Sequence, residues 1–345
     1  MNTNTFQIYQ LIGQIISFNN NAAALKFRLE SFNKWEQLVY HSSKHLLLPT
    51  IYKRLQEKAL LGLLPADLIQ YLEEIHGINH NRNLQILKQI KTIHQILADA
   101  HITHVFVKGA AILIKGLKNQ SLERMVGDID VLVERSSLHT AFKLLQDNGY
   151  TESIGFDYEV KNYRHLDRQI SKTGIAAVEL HDELIRHPNQ HLVNVGDLLA
   201  KLVMCNQFPI PNDYYMGLHC VMAFQVNDLG YYYKHISLKT LSDSLVLQIP
   251  QQPELLNNLQ YHKQGRLFIA WAQFLSGDYH SVKLEFRQAF QLSLMLIKLK
   301  HSYLGKVDYR LKWSVEFIKQ RLKLWFTNRS YRRHILKDKL NTLQN

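Results

Sequence analysis

Residues 128–133, Asp-Ile-Asp-Val-Leu-Val, restrict the fold of this 345-residue chain more than any other stretch. A run of apolar and β-branched residues bounded by a glycine reads as a buried strand. It opens, however, on two carboxylates one residue apart. Alternate side chains of a strand share a face, so Asp128 and Asp130 point one way while Ile129 and Val131 point the other. Two carboxylates a few Å apart repel each other, and one is driven toward protonation unless a cation compensates. A divalent metal is the natural compensation, because carboxylate oxygens suit Mg²⁺ and the ion reverses the local field. An isolated D-x-D at a surface turn would give the same six letters, so the surroundings decide.

Those surroundings are specific. "THVFVK" is a short strand running into Gly109, where "GAAILIKGL" begins a helix; such a turn leaves backbone N–H groups free for phosphate. Lys108 and Arg124 place cations on either side of the acids in sequence, suited to a triphosphate. In "AAVELHDEL", Val178 and Leu180 share one face of a strand, and Glu179 and His181 share the other. If the two strands are neighbours, three carboxylates converge, the composition that two-metal phosphoryl chemistry requires. Between them "SSLHTAFKLLQDNGY" reads as a helix capped by Ser136 or Ser137 with Gly149 past its end. "RQISKTGIAAVELH" reads as a hairpin turning at Lys172-Thr173-Gly174.

The rest of the chain is helical in pattern. "RNLQILKQIKTIHQILADA" sets Ile86, Ile90, Ile93 and Leu97 on one face, and "PADLIQYLEEIHG" reads as a separate helix stopped near Gly77. No strand alternation precedes His101, and from Pro188 onward the patterns are helical again. This predicts a helical region over 1–100, a core over 101–187 and a second helical region over 188–345 with a basic end. Lys108 and Lys115 interrupt the most apolar region, which excludes a membrane span there. The N-terminal residues lack the basic start of an export signal. Cys205 and Cys220 have no metal-ligand spacing and read as reduced thiols. A cytoplasmic protein with no membrane partner is the expectation.

The formal net charge is +12, and between Lys298 and Lys339 thirteen Lys and Arg face three acids. Such a segment suits nucleic acid, anionic lipid or nucleotide phosphates. The plainer reading is the solvated side of a helix whose apolar stripe, Leu311, Val315, Ile318 and Leu322, faces the core.

The order V-x-V-K-G-A, then R-x-x-G-D-I-D-V-L-V, then V-E-L-H resembles the DNA polymerase β-like nucleotidyltransferase superfamily. It is most like a poorly characterised bacterial branch carrying K-G-A, R-x-x-G-D-I-D-L-L-V and (D/E)-x-H. The resemblance implies an α+β fold, a small mixed sheet flanked by N-terminal helices and a C-terminal helical region. It implies Mg²⁺ (or Mn²⁺) dependent transfer of a nucleoside monophosphate from an NTP to an acceptor hydroxyl, with release of pyrophosphate. Asp128 and Asp130 would hold the metal, and Glu179 would be the third carboxylate, polarising the hydroxyl. Gly109 and Gly127 would border the nucleotide, with Lys108 and Arg124 on its phosphates. The acceptor, whether small molecule, protein side chain or RNA 3′ end, is left open, as is nucleic acid binding by the basic C-terminal helices. Two departures stand out: Ala110 replaces the serine usual after the glycine, and the gap from Gly109 to Asp128 is long. They keep open an alternative, a catalytically weak module binding nucleotide, nucleic acid or a partner on the same fold. Among further candidates, His181 is either structural or a partner of the acids, and Lys239 and Asp243 could approach the cleft. His187 and His191 lack the third ligand of a zinc site, and the "LGYYYKH" patch reads as core packing.

Overall fold

Helices come first, as the periodicities require. The computed structural model describes residues 5–18, 22–117, 121–155, 158, 164–279 and 284–342. It opens with α1 (Thr5–Ile16), α2 (Ala22–Glu30), α3 (Trp35–Lys44), α4 (Leu48–Glu57) and α5 (Ala66–Asp99). The last is a single helix of 34 residues, so Gly77 does not stop it. An interior glycine costs about 1 kcal/mol relative to alanine. Buried Leu68 and Leu72 before it, and Ile86, Ile90, Ile93 and Leu97 after it, outweigh that cost.

The sheet follows in β1 (His104–Val107), α6 (Lys108–Gly116), β2 (Asp128–Val133), α7 (Leu138–Asp147), β3 (Glu152–Ile154), β4 (Arg168–Ile170) and β5 (Ala177–His181). Its strand order is β1-β2-β5-β4-β3. Only the β2–β5 pair is parallel, and a parallel pair needs a long crossover, here carrying α7. Ser137 precedes α7 without a side-chain capping bond, and Gly149 leaves it with φ of 95°. The hairpin expected around Lys172-Thr173-Gly174 is the antiparallel β4–β5 pair.

Beyond α8 (Val195–Ala200) the all-helical expectation fails. β6 (Leu202–Cys205) and β7 (Phe208–Pro211) form an antiparallel hairpin. Asn206 and Gln207 at its turn have φ of 47° and 72°, the paired positive φ of a two-residue hairpin turn. Pro209 and Pro211 would break a helix interior. The hairpin lies over β1, with the Phe208 and Phe106 ring centroids 6.2 Å apart.

The chain then runs through α9 (Asp213–Met222), a π-helical turn (Ala223–Asn227), α10 (Gly230–Tyr233), α11 (Leu238–Val246), α12 (Pro253–Tyr261) and α13 (Lys263–Ser276). It finishes with α14 (Phe286–Lys300), α15 (Ser302–Thr327) and α16 (Arg329–Thr342). One continuous apolar core extends from Ile8 in α1 through the sheet to Met295 in α14. The architecture is therefore α+β, a mixed sheet flanked by helices from both sides in sequence. Cys205 and Cys220 are free thiols, and no helix among the described residues is long and apolar enough to cross a membrane.

The expected core-facing stripe of α15 is a correction. Leu311, Val315, Ile318 and Leu322 are all exposed. The partly covered side carries Gly305, Asp308, Lys312 and Glu316. Asp308 fixes this rotation, pairing with Lys298 of α14 at 2.7 Å and with Lys312 at 2.9 Å.

Candidate active site

The site starts from strand register. Asp130 lies opposite Glu179, and Leu132 opposite His181, in the parallel β2–β5 pair. Directly opposed residues share a face, so Asp128, Asp130, Glu179 and His181 project together. Ile129, Val131, Val178 and Leu180 fill the other face and are buried. Asp130 and Glu179 are buried as well, which makes their compensation obligatory.

Three side chains supply it. Lys108 sits at the β1–α6 junction with φ of 52°, a left-handed conformation costing about 1–3 kcal/mol for a residue with a Cβ. From there its ammonium pairs with Asp130 and lies 3.9 Å from Glu179. His181 donates Nε2–H to Asp130 Oδ1 at 2.8 Å. Arg168 enters from β4: the Gln169–Val178 pairing sets it beside Glu179. It donates Nε–H to Glu179 Oε1 at 2.5 Å and Nη2–H to Asp128 Oδ2 at 3.3 Å. His165 Nε2 lies 3.8 Å from Glu179.

The carboxylates consequently differ. Burial pushes Asp130 up, but Lys108 and His181 outweigh it and hold the carboxyl well below the ordinary range. Glu179 is likewise raised by burial and by Asp130, yet its bonds from His181 and Arg168 bring it down to about 2. Asp128 moves the other way: burial and the Asp130 charge raise it, with Lys108 only partly opposing. Burial lowers His165 to about 4. The arrangement holds two firmly ionised acids and a third whose charge is less favoured, the state expected where a further cation is welcome.

The irregular segment between α6 and β2 carries Arg124, and α5 holds it. Asn79 Nδ2 donates to the Leu122 and Glu123 carbonyls at 3.2 and 3.0 Å, and Asn83 Nδ2 to those of Leu122 and Arg124 at 2.8 and 2.7 Å. Buried asparagines inside a helix thus satisfy a loop's backbone acceptors. Further along α5, Gln89 does the same for the β4–β5 turn, donating to Ala176 O at 2.8 Å. Arg124 itself is bidentate on Asp243 of α11, at 2.8 and 2.9 Å. Its guanidinium lies so close over Gly109 that a Cβ there would collide with Nη1. A Cβ there would push the guanidinium aside and disturb its bonds to Asp243; a Cβ at Gly127 would meet nothing within 4 Å.

A cavity of about 180 Å³ opens beside this face, between Lys108, Arg124 and Lys239 as cations and Asp228, Asp243 and His219. Phe224 of the π-helical turn forms part of its wall. Burial, then Arg124, lowers Lys239, while burial raises Asp228 against the pull of Lys108, Arg164 and Lys239. Burial pushes His219 down to about 3, so it is neutral.

A family described as uncharacterised nucleotidyltransferase matches residues 31–253. The chain belongs to this nucleotidyltransferase family. The match spans the sheet, the carboxylate face and α11, and leaves α13 to α16 outside it. No curated protein and no solved structure matches the chain.

The structure brings Asp128, Asp130, Glu179 and Lys108 together, with Gly109 joined to them through Arg124, and leaves Gly127 as the residue entering β2. Asp130, Glu179 and His181 each offer a ligand atom, all within 4.8 Å of one another. Two carboxylates and an imidazole fit a divalent ion, and Asp128 adds a third carboxylate on the same face. Sequence reasoning missed Arg168, His165, His219 and Asp228. For Arg168 the signal was off by one: a hairpin turning at 172–174 sets Asp167 opposite Glu179, whereas the Gln169–Val178 register sets Arg168 there.

Proposed function

We propose that the chain is a Mg²⁺-dependent nucleotidyltransferase moving a nucleoside monophosphate from an NTP to an acceptor hydroxyl. The observation that carries this reading is the Asp130–Glu179 register, which sets three carboxylates on one face beside a cationic cavity. Asp128, Asp130 and Glu179 would hold the metal, which when bound would acidify the hydroxyl and neutralise triphosphate charge. The acceptor hydroxyl gives up its proton to solvent as its oxygen bonds to the α-phosphorus, the α–β anhydride bond breaks, and pyrophosphate leaves. Glu179, ionised at neutral pH, accepts the hydroxyl's hydrogen bond and orients it. Lys108 and Lys239 line the cavity where the departing phosphates develop charge, and preorganised cations there lower the barrier. Arg124 positions α11, and so Lys239, against the sheet.

A second reading is a nucleotide-binding module without turnover. It is favoured by one observation: the Arg124 guanidinium covers Gly109, where the resemblance places phosphate. NTPs labelled on the α-phosphate distinguish the two. Transfer reading: label moves to an acceptor, pyrophosphate is released with Mg²⁺, and Asp130→Asn abolishes both. Release that survives Asp130→Asn contradicts it. Nucleotide binding without release in the presence of hydroxyl, protein and RNA acceptors favours the module.

A further inference from the structure

Helix α15 carries an apolar stripe that is left exposed among the described residues. Leu304, Leu311, Ile318 and Trp325 recur every seven residues, and Val315 and Leu322 fall between them, which places all six on one side of a helix. Their exposure runs from 37% at Trp325 to 64% at Leu311. Its ties to the neighbouring helices lie beside the stripe: Asp308 pairs with Lys298 of α14 at 2.7 Å, and Arg321 donates Nη1–H to Tyr331 Oη of α16 at 3.0 Å. No residue of α15 is buried among those described. Monomeric proteins rarely expose so continuous an apolar surface without a use for it.

The flanks say what covers it. At 100° per residue, Arg310 and Arg321 border the stripe on one side and Lys319 and Lys323 on the other, all four exposed. The two acids of the helix, Asp308 and Glu316, fall on the same flank as Lys319 and Lys323 but are partly covered, and Asp308 is already paired with Lys298 and Lys312. A second copy would bring these cations against their own kind. Nucleic acid would satisfy the cations and leave the leucines in water. An anionic bilayer surface satisfies both, with the stripe in the headgroup–acyl boundary and the cations on lipid phosphates.

We infer that α15 is a peripheral membrane-docking helix, lying along an anionic lipid surface. This inference does not depend on the transferase reading, because α15 lies outside the matched region. It concerns docking along a surface and not crossing, for which no helix among the described residues is long and apolar enough. It also changes the setting of the reaction, since a docked enzyme meets its acceptor at a membrane surface.

The test is co-sedimentation of the full chain with phosphatidylcholine vesicles, alone and mixed with phosphatidylglycerol, at low and high salt. The account predicts binding to the mixed vesicles more than about a hundredfold tighter than to the neutral ones, weakened by salt, with a blue shift of tryptophan emission. Leu311→Glu and Ile318→Glu, at exposed positions, should each cut binding about tenfold or more while leaving the circular dichroism spectrum and melting temperature unchanged. Lys319→Ala with Lys323→Ala should weaken binding to the mixed vesicles alone. Three results overturn the inference: no binding to mixed vesicles; a lipid-free dimer that Leu311→Glu dissociates; or vesicle binding that both glutamate variants retain.

Discussion

In the sheet, Ile129, Val131 and Val178 are buried, and the polar groups Asp130, Glu179 and His181 lie buried behind them on the opposite face. Along α15 the arrangement is inverted: Leu311, Val315, Ile318 and Leu322 face solvent, and Asp308 pairs with Lys298 of α14. Both segments are amphipathic, so periodicity alone does not say which face goes inward. What decides is the neighbour. β2 is flanked by β1 and β5; Lys108 just after β1, Arg168 of β4 and His181 of β5 compensate its acids, and the apolar side falls to the core. α15 meets α14 through the Lys298–Asp308 pair, and its apolar side is left over. Buried charge marks the chemistry of one region; exposed apolar surface marks the contacts of the other.

This contrast can be broken in several places. The largest effect is expected at the carboxylate face: Asp130→Asn should lower nucleotidyl transfer by about a thousandfold or more, several kcal/mol of lost charge stabilisation, measured as label transfer. Beneath that face, Phe106→Ala should cost about 3–5 kcal/mol in urea unfolding, because Phe106 is fully buried and leaves a cavity. Arg124→Leu strands Asp243 without its partner and should cost about 3 kcal/mol, with much of the loss recovered in the Arg124→Leu/Asp243→Leu double variant.

A smaller effect separates the helical half by pH. Burial, then His41, His235 and Lys44, depresses His45 from 6.5 to about 4, while Tyr9 Oη lies 2.9 Å from its Nε2. Between those two values the unfolded chain binds the proton and the folded chain does not. Stability is therefore full above pH 6.5 and falls toward pH 4, by at most about 3 kcal/mol from this group. His45→Gln should flatten that slope in melting curves. The smallest effect is on α15, where Leu311→Ala should change unfolding free energy by less than about 0.5 kcal/mol. A loss comparable to that of Phe106→Ala would show that the stripe is packed after all.

Much of the sheet region was legible because its constraint is local. Two acids in an apolar strand name their own face, and Val-Glu-Leu-His names the matching one; alternation of period two needs no tertiary knowledge. Lys108 was legible as a cation but not as a left-handed residue aimed at Asp130. Arg168 was hidden because its role follows from hairpin register, which shifts every side chain if the turn moves by one. The roles of Asn79, Asn83 and Gln89 in holding the site's loops were unreadable, since each partner lies 39 to 87 residues away. Gly77 was misread because a stop signal competes with packing on both sides of it. The β6–β7 hairpin was missed although Asn206 and two prolines marked it. The outward turn of α15 depends on one ion-pair cluster that composition does not reveal.

The most direct test of the carboxylate face needs no acceptor. It is calorimetric titration of non-hydrolysable NTP analogues into the full chain, with and without Mg²⁺, compared between wild type and Asp130→Asn. The account predicts nucleotide binding that requires Mg²⁺ and is lost in Asp130→Asn, whose fold is retained. Binding indifferent to both Mg²⁺ and the substitution, or no binding of any NTP, would contradict it.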